Sequence, residues 1–214
     1  SMTTVAGERR IVTVLFADIV GSTAIGGRLG PERTKLLLDE VMRLLSAEVE
    51  RFGGTVAQFI GDELYAVFGA PYAHEDDSER AVRAAVAIQS TLATYAEEVN
   101  DAYGIELSCR IAINTGPVVI QPESEDPYNA LGETVNVAAR IQKLVEGGEI
   151  VVGPETKLQI EECFELEPLD EHELRGVGTS IASFRVLGPV DSVAVAPAGP
   201  IVGRDFELQV LERT

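Results

Sequence analysis

Two short runs of strand-forming residues, Thr55 to Ile60 and Glu63 to Phe68, are separated only by Gly61-Asp62. A two-residue connection of this kind calls for an antiparallel hairpin whose turn needs a residue at positive φ, and Gly61 supplies it without a steric penalty. The turn places Asp62 at the hairpin tip. A second aspartate, Asp18, follows the run Arg10 to Ala17, which is rich in β-branched residues and alternates little. That pattern predicts a strand buried on both faces. If the two strands are neighbours, the carboxylates of Asp18 and Asp62 meet.

The remaining pattern mixes helices with strands. Gly30-Pro31 opens a helix, because Pro is tolerated in a first turn, and Leu37, Val41, Leu44 and Leu45 follow at helical spacing up to the stop at Gly53-Gly54. Glu75-Asp76-Asp77 loads acid where the next helix dipole favours it; Ala81, Ala85, Ile88, Leu92, Tyr95 and Val99 form that helix's apolar stripe. Leu107 to Asn114 and Val118 to Ile120 read as strands around Thr115-Gly116-Pro117, and Pro122 to Asn129 as an acidic loop. A helix over Glu133 to Val145 stops at Gly147-Gly148, followed by a strand at Glu149 to Val152 and a helix at Pro154 to Ile160. Phe164 to Leu169 and Ile181 to Leu187 are expected to pair as an antiparallel finish. Such irregular alternation with hairpins predicts an α+β fold, a mixed but mostly antiparallel sheet with helices packed against it. Gly188 to Pro200, rich in Pro, Ala, Val and Gly, reads as a linker.

Composition narrows the function. The 214 residues suffice for one domain and a fragment, and at 45% hydrophobic with no Trp the core must be aliphatic. A net charge of −18 argues against nucleic acid and against an anionic membrane face. No apolar run is long enough to span a bilayer. Cys109 and Cys163 lie far apart without metal-ligand spacing, which fits a reducing cytoplasm. His74 and His172 have no partners at ligand spacing and read as surface residues.

Paired carboxylates are hard ligands suited to Mg²⁺ or Mn²⁺. Asn136 and Arg140 stand one helical turn apart on a common face. Together these groups point to metal-assisted phosphoryl chemistry on a nucleotide. Three segments carry a family likeness: Phe16-Ala17-Asp18-Ile19-Val20-Gly21-Ser22-Thr23, Gly61-Asp62 with Ala66-Val67-Phe68-Gly69, and Gly132-Glu133-Thr134-Val135-Asn136-Val137-Ala138-Ala139-Arg140. In this order they resemble the catalytic domain of class III adenylyl and guanylyl cyclases, over roughly residues 9 to 188. The resemblance implies a ferredoxin-like sheet, an N-terminal tail over residues 1–8 (Ser1 ahead of Met2 reads as a cloning remnant), a catalytic domain over 9–188 and a linker over 189–200. Residues 201–214 resemble the opening of an ATPase-like domain.

The resemblance also implies roles. Two protomers would form a head-to-tail homodimer with active sites at the interface. Asp18 and Asp62 of one protomer would hold two Mg²⁺ or Mn²⁺ ions. One ion would help deprotonate the ribose 3′-OH, and the other would bind the triphosphate and help pyrophosphate leave. Backbone N–H groups from Ile19, Val20, Gly21, Ser22 and Thr23 would cradle phosphate oxygens at a helix entry. The second protomer would supply Asn136 to orient the ribose, and Arg140 and Arg175 to meet phosphate charge. Arg175 stands where the family usually has a Lys. The expected reaction converts ATP to 3′,5′-cyclic AMP and pyrophosphate.

Two departures concern the base. The family usually reads the purine with a Lys and an Asp or Thr at the positions of Gln58 and Asn129. A Lys only donates and an Asp only accepts, whereas a primary amide does both. A Gln–Asn pair therefore predicts weakened discrimination, with ATP preferred and GTP admitted. The segment after Gly116 also lacks the glycines common there. These departures favour the alternative of a nucleotide-binding dimerisation module that regulates a downstream ATPase domain; the intact Asp18, Asp62, Asn136 and Arg140 favour the enzyme.

Overall fold

The chain alternates β1 (Glu8–Val20), α1 (Ser22–Leu29), α2 (Pro31–Arg51), β2 (Thr55–Ile60), β3 (Glu63–Phe68), α3 (Asp77–Tyr103) and β4 (Ser108–Ile120) in its first half. α4 (Glu133–Gln142), β5 (Ile150–Val152), α5 (Pro154–Ile160), β6 (Phe164–Pro168), β7 (His172–Glu173), β8 (Ser180–Ile181) and β9 (Phe184–Pro189) follow. The computed structural model describes residues 8–120, 132–169, 172–173 and 180–190. A seven-stranded sheet runs in the order β2-β3-β1-β4-β5-β9-β6, and β7 pairs with β8 apart from it. Among the described residues only β4 and β5 pair in parallel. The first four strands give the ferredoxin-like core order, as the resemblance implies.

β1 is the axis of the sheet, paired along its length with β4 and at its C-terminal half with β3. Its residues alternate between two cores. Leu15, Ala17 and Ile19 pack with α2 and α3, through Leu37, Val41, Leu45, Ala85, Ile88 and Leu92. Val12, Val14 and Phe16 pack on the other face with Tyr65, Val67, Val118 and Ala138 of α4. A strand covered on both faces needs an apolar residue at nearly every position, which is why the run Arg10 to Ala17 alternates so little.

The hairpin has the predicted bounds, with Gly61 at φ +69°. Gly54 lies at the entry to β2, where a Cβ would come within 2.5 Å of the fully buried Phe68 ring. Overpacking of this kind costs about 1–3 kcal/mol. Gly54→Ala is therefore expected to lower the melting temperature by several degrees, and an unchanged melting curve would show that the ring yields freely.

Four boundaries differ from the sequence reading. β4 is one strand through Thr115-Gly116-Pro117 rather than two, with Pro117 opposite Ile11. Proline is accommodated because β5 reaches only Ile111–Ile113, so no second neighbour requires its missing N–H. α4 stops at Gln142, and β9 runs through Gly188 to Pro189, into the stretch read as linker. Ile181 belongs to β8, outside the main sheet. The tail at 1–7, the loop at Pro122 to Asn129, and residues 191–214 lie outside the described residues. Among the described residues no helix is long and apolar enough to cross a membrane.

Candidate active site

Strand pairing gathers the charged residues into one row. Asp18 on β1 stands opposite Glu63 on β3 and opposite Arg110 on β4. Because alternate residues share a face, this row lies on the same face as Phe16 and Val14, the face that α4 covers. Asp62, at the hairpin turn, is tied to the end of β1 by the Ile19 N–H, which donates to the Asp62 carbonyl at 3.3 Å. This backbone contact brings Asp62 to the end of β1 that carries Asp18, and both aspartates are half-buried.

Arg110 escaped the sequence reading. Its Nε donates to Asp18 Oδ2 at 2.7 Å, and its Nη2 lies 2.6 Å from the same oxygen. The available signal was an Arg alternating with apolar residues in a strand whose neighbours are buried, a position that requires a paired charge. Glu63 is the second addition. Burial raises its carboxyl above the ordinary range, and the nearby Asp18 carboxylate adds to the effect. Cys109 faces the opposite core, where burial pushes its thiol up to about 12, so it is an inert packing group.

The next row on this face carries Gln58. It stands opposite Tyr65, which stands opposite Phe16, and the two rings stack at 4.8 Å. Val56 and Gln58 would share a face in a regular strand, but a register shift between them separates the two. Val56 packs into the α2–α3 core, while Gln58 is exposed on the Asp18 face. A bulge that re-aims a side chain is a recurrent feature beside functional sites. Two strand spacings and two residues separate Gln58 from Asp18, about 12 Å by strand geometry.

At the end of β1, Gly21 turns the chain at φ +79° into α1. Ser22 and Thr23 are the first residues of that helix, so their N–H groups have no intrahelical acceptor. The Ile19 N–H is engaged by Asp62 and Val20 is paired with Ser108 of β4, which leaves Gly21 to Thr23 as the part of the expected cradle beyond the paired end of β1.

α4 presents two faces. Thr134, Val137, Ala138, Ile141 and Gln142 are buried against the sheet. Asn136 is exposed on the opposite side, and Arg140 is half-buried. The Arg140 Nη1 is enclosed and has no hydrogen-bond acceptor among the described residues. Asn129 and Arg175 lie outside the described residues. Surface cavities of about 380, 410 and 620 Å³ are lined by other residues, with Gly21 the one shared position. Large apolar side chains stand exposed near the site, Phe59 and Ile60 on the hairpin and Leu144 beyond α4.

The donor set at Asp18 and Asp62 fits Mg²⁺ or Mn²⁺. Two carboxylates leave the other positions for water and phosphate oxygens, the usual arrangement for Mg²⁺. Among the described residues no cluster of three or more metal-ligating side chains is present.

Comparison with known proteins agrees with this geometry. Residues 5–187 match the family described as "Adenylate and Guanylate cyclase catalytic domain". "Adenylate cyclase 1" of Rhizobium meliloti is 30% identical over 200 residues, covering 91% of this chain and 30% of the relative. The chain therefore spans about a third of that relative's length. The crystal structure of the adenylyl cyclase CyaB from P. aeruginosa superposes with a TM-score of 0.80 at 26% identity, over 87% of this chain and 97% of that one. The guanylyl cyclase Cya2 superposes with a TM-score of 0.80 at 29% identity, over 88% and 97%. By its sequence match and by its fold, the chain belongs to the adenylate and guanylate cyclase catalytic domain family.

Proposed function

We propose that the domain is a purine nucleotide cyclase that converts ATP to 3′,5′-cyclic AMP and pyrophosphate in a homodimer and also admits GTP. One observation carries this reading. Asp18 and Asp62 lie at the sheet, whereas α4 buries its sheet-facing side and turns Asn136 outward. The two halves of the expected constellation face different directions, which is what a site shared between two copies requires. The exposed Phe59, Ile60 and Leu144 support a second copy covering this region.

In this reading the 3′-oxygen attacks the α-phosphorus, the bond to the bridging oxygen breaks, and pyrophosphate leaves. Mg²⁺ or Mn²⁺ held by Asp18 and Asp62 would neutralise the triphosphate and acidify the 3′-hydroxyl. Gly21 to Thr23 would offer backbone donors to the phosphates. Asn136 fixes the ribose, and Arg140 and Arg175 meet charge as it develops on phosphoryl oxygens. The unmatched Nη1 of Arg140 supports an anion as its partner.

The reading is tested by cyclic nucleotide production from ATP and from GTP with Mn²⁺, across protein concentrations. The specific rate is expected to rise with concentration, as for a site assembled by dimerisation. Gln58→Lys combined with Asn129→Asp is expected to raise the ATP-to-GTP ratio of kcat/KM by about tenfold or more, because one wrongly matched base hydrogen bond costs about 1–3 kcal/mol. An unchanged ratio would show that these side chains do not read the base. A second reading, a nucleotide-binding module without turnover, is favoured by Gln58 and Asn129 standing in place of base-fixing residues. Nucleotide binding without product at any concentration would establish it.

A further inference from the structure

α4 enters the fold without a cap of its own. Its N-cap is Gly132, which has no side chain to accept from the first-turn N–H groups. β4 holds the first turn instead. Asn114 Nδ2 donates to the Thr134 carbonyl at 3.1 Å, and Thr134 Oγ1 donates to the Pro117 carbonyl at 2.8 Å. Asn114 and Thr134 are 6% and 5% exposed, so both bonds are made away from bulk water, where they hold geometry most firmly. The approach is close. A Cβ on Gly116 would stand 2.6 Å from Thr134 Oγ1, and one on Gly153 would overlap Asn114 Oδ1.

The strand beneath this joint is fixed. Asn114 stands opposite Val14, on the face that α4 covers. Thr115 turns to the other face, where its hydroxyl lies 2.9 Å from those of Thr13 and Ser78 and 2.8 Å from that of Thr156. That buried cluster ties β4 to β1, α3 and α5, so the helix is the part free to turn. Thr134 and Asn136 are two residues apart, about 200° around the helix. Thr134 is buried and Asn136 is exposed. A small rotation at Thr134 therefore swings Asn136 and, one turn further on, Arg140.

We propose that Asn114 and Thr134 form a positioning pair, whose two bonds set the rotation of α4 that presents Asn136 and Arg140 to the nucleotide. The inference rests on the shared-site reading, in which α4 and the Asp62 hairpin of one chain serve different sites. It assigns Asn114 to the helix's half of the site, although the same strand carries Arg110 beside Asp18.

Asn114→Ala removes one tie, and Thr134→Val removes the other while keeping the shape of the side chain. Each is expected to lower kcat about ten- to a hundredfold, as for groups displaced by about 1 Å. KM and the Mn²⁺ affinity of the nucleotide-free protein are expected to stay close to those of the parent. Thr134→Ser, which keeps the hydroxyl, is expected to keep most of the parent rate. Complementation then separates positioning from a general defect. Asn114→Ala mixed in equal amounts with Asp62→Ala is expected to regain about a quarter of the parent rate, because one site in each mixed dimer has an intact hairpin and an intact helix. Mixed with Arg140→Ala it is expected to gain nothing, because every site then takes its helix from a defective chain. Rescue by Arg140→Ala, rescue by neither variant, an unchanged kcat, or a Thr134→Ser variant as slow as Thr134→Val would each overturn the proposal. Thr134→Val carries the same mixing test if Asn114→Ala does not fold. Asp62→Ala mixed with Arg140→Ala is the control. No recovery there removes the shared site itself; recovery there, with none for Asn114→Ala and Asp62→Ala, overturns the positioning pair alone.

Discussion

Mixing Asp62→Ala protein with Arg140→Ala protein is expected to restore about a quarter of the parent rate, although each variant alone is nearly inactive. Random exchange between symmetric dimers makes about half of them mixed. Each mixed dimer holds one site with both defects and one with neither, so about half of the sites in half of the dimers work. In the proposed site, Asp62→Ala would remove a cation ligand worth several kcal/mol of charge stabilisation. Arg140→Ala removes a preorganised cation, typically worth about 10²–10³ in rate. Were the site complete within one chain, the mixture would be no more active than the average of its parts. The measurement is cyclic AMP produced per protomer as the ratio of the two variants is varied, with a maximum at equal amounts.

The maximum at equal amounts separates the shared site from non-specific stabilisation, which would rise monotonically toward one variant.

Much of this arrangement was legible from residue order alone. Gly61-Asp62 between two strand-forming runs admitted only a tight hairpin, and its bounds are those predicted. The apolar stripe on α3 is buried at Ala81, Ala85, Ile88, Leu92 and Val99. What escaped depends on strand register, which local pattern does not contain. Arg110 gains its meaning only from standing opposite Asp18. Gln58 reaches the functional face only because the strand bulges after Val56. The break expected at Gly116-Pro117 was a reading of local turn chemistry, overruled because β1 pairs along the whole of β4. His74, read as a surface residue without partners at ligand spacing, is exposed, and its backbone N–H donates to Asp77 Oδ2 at 2.7 Å at the start of α3.

Asp18→Asn is the substitution that isolates charge from shape. The amide oxygen of Asn can still accept from Arg110 Nε, which now donates to Asp18 Oδ2 at 2.7 Å. The side chain at position 18 is 13% exposed and that of Arg110 is 31% exposed, so the pair is neither fully solvated nor sealed. Deleting the Asp18 side chain would leave a half-buried guanidinium without its acceptor, and any loss of activity would be confounded with loss of structure. Asn avoids this and removes only the anionic ligand. Turnover is expected to fall by on the order of 10³-fold, since a bound cation contributes several kcal/mol and each ~1.4 kcal/mol is a factor of ten in rate. The metal-free melting temperature is expected to stay within a few degrees of the parent. The rise in melting temperature that Mn²⁺ gives the parent, through preferential binding to the folded state, is expected to shrink or vanish. Retention of both turnover and the Mn²⁺-dependent rise would show that Asp18 serves as the structural partner of Arg110, and that the cation is held elsewhere. Loss of turnover with the Mn²⁺ rise intact would place Asp18 against substrate rather than metal.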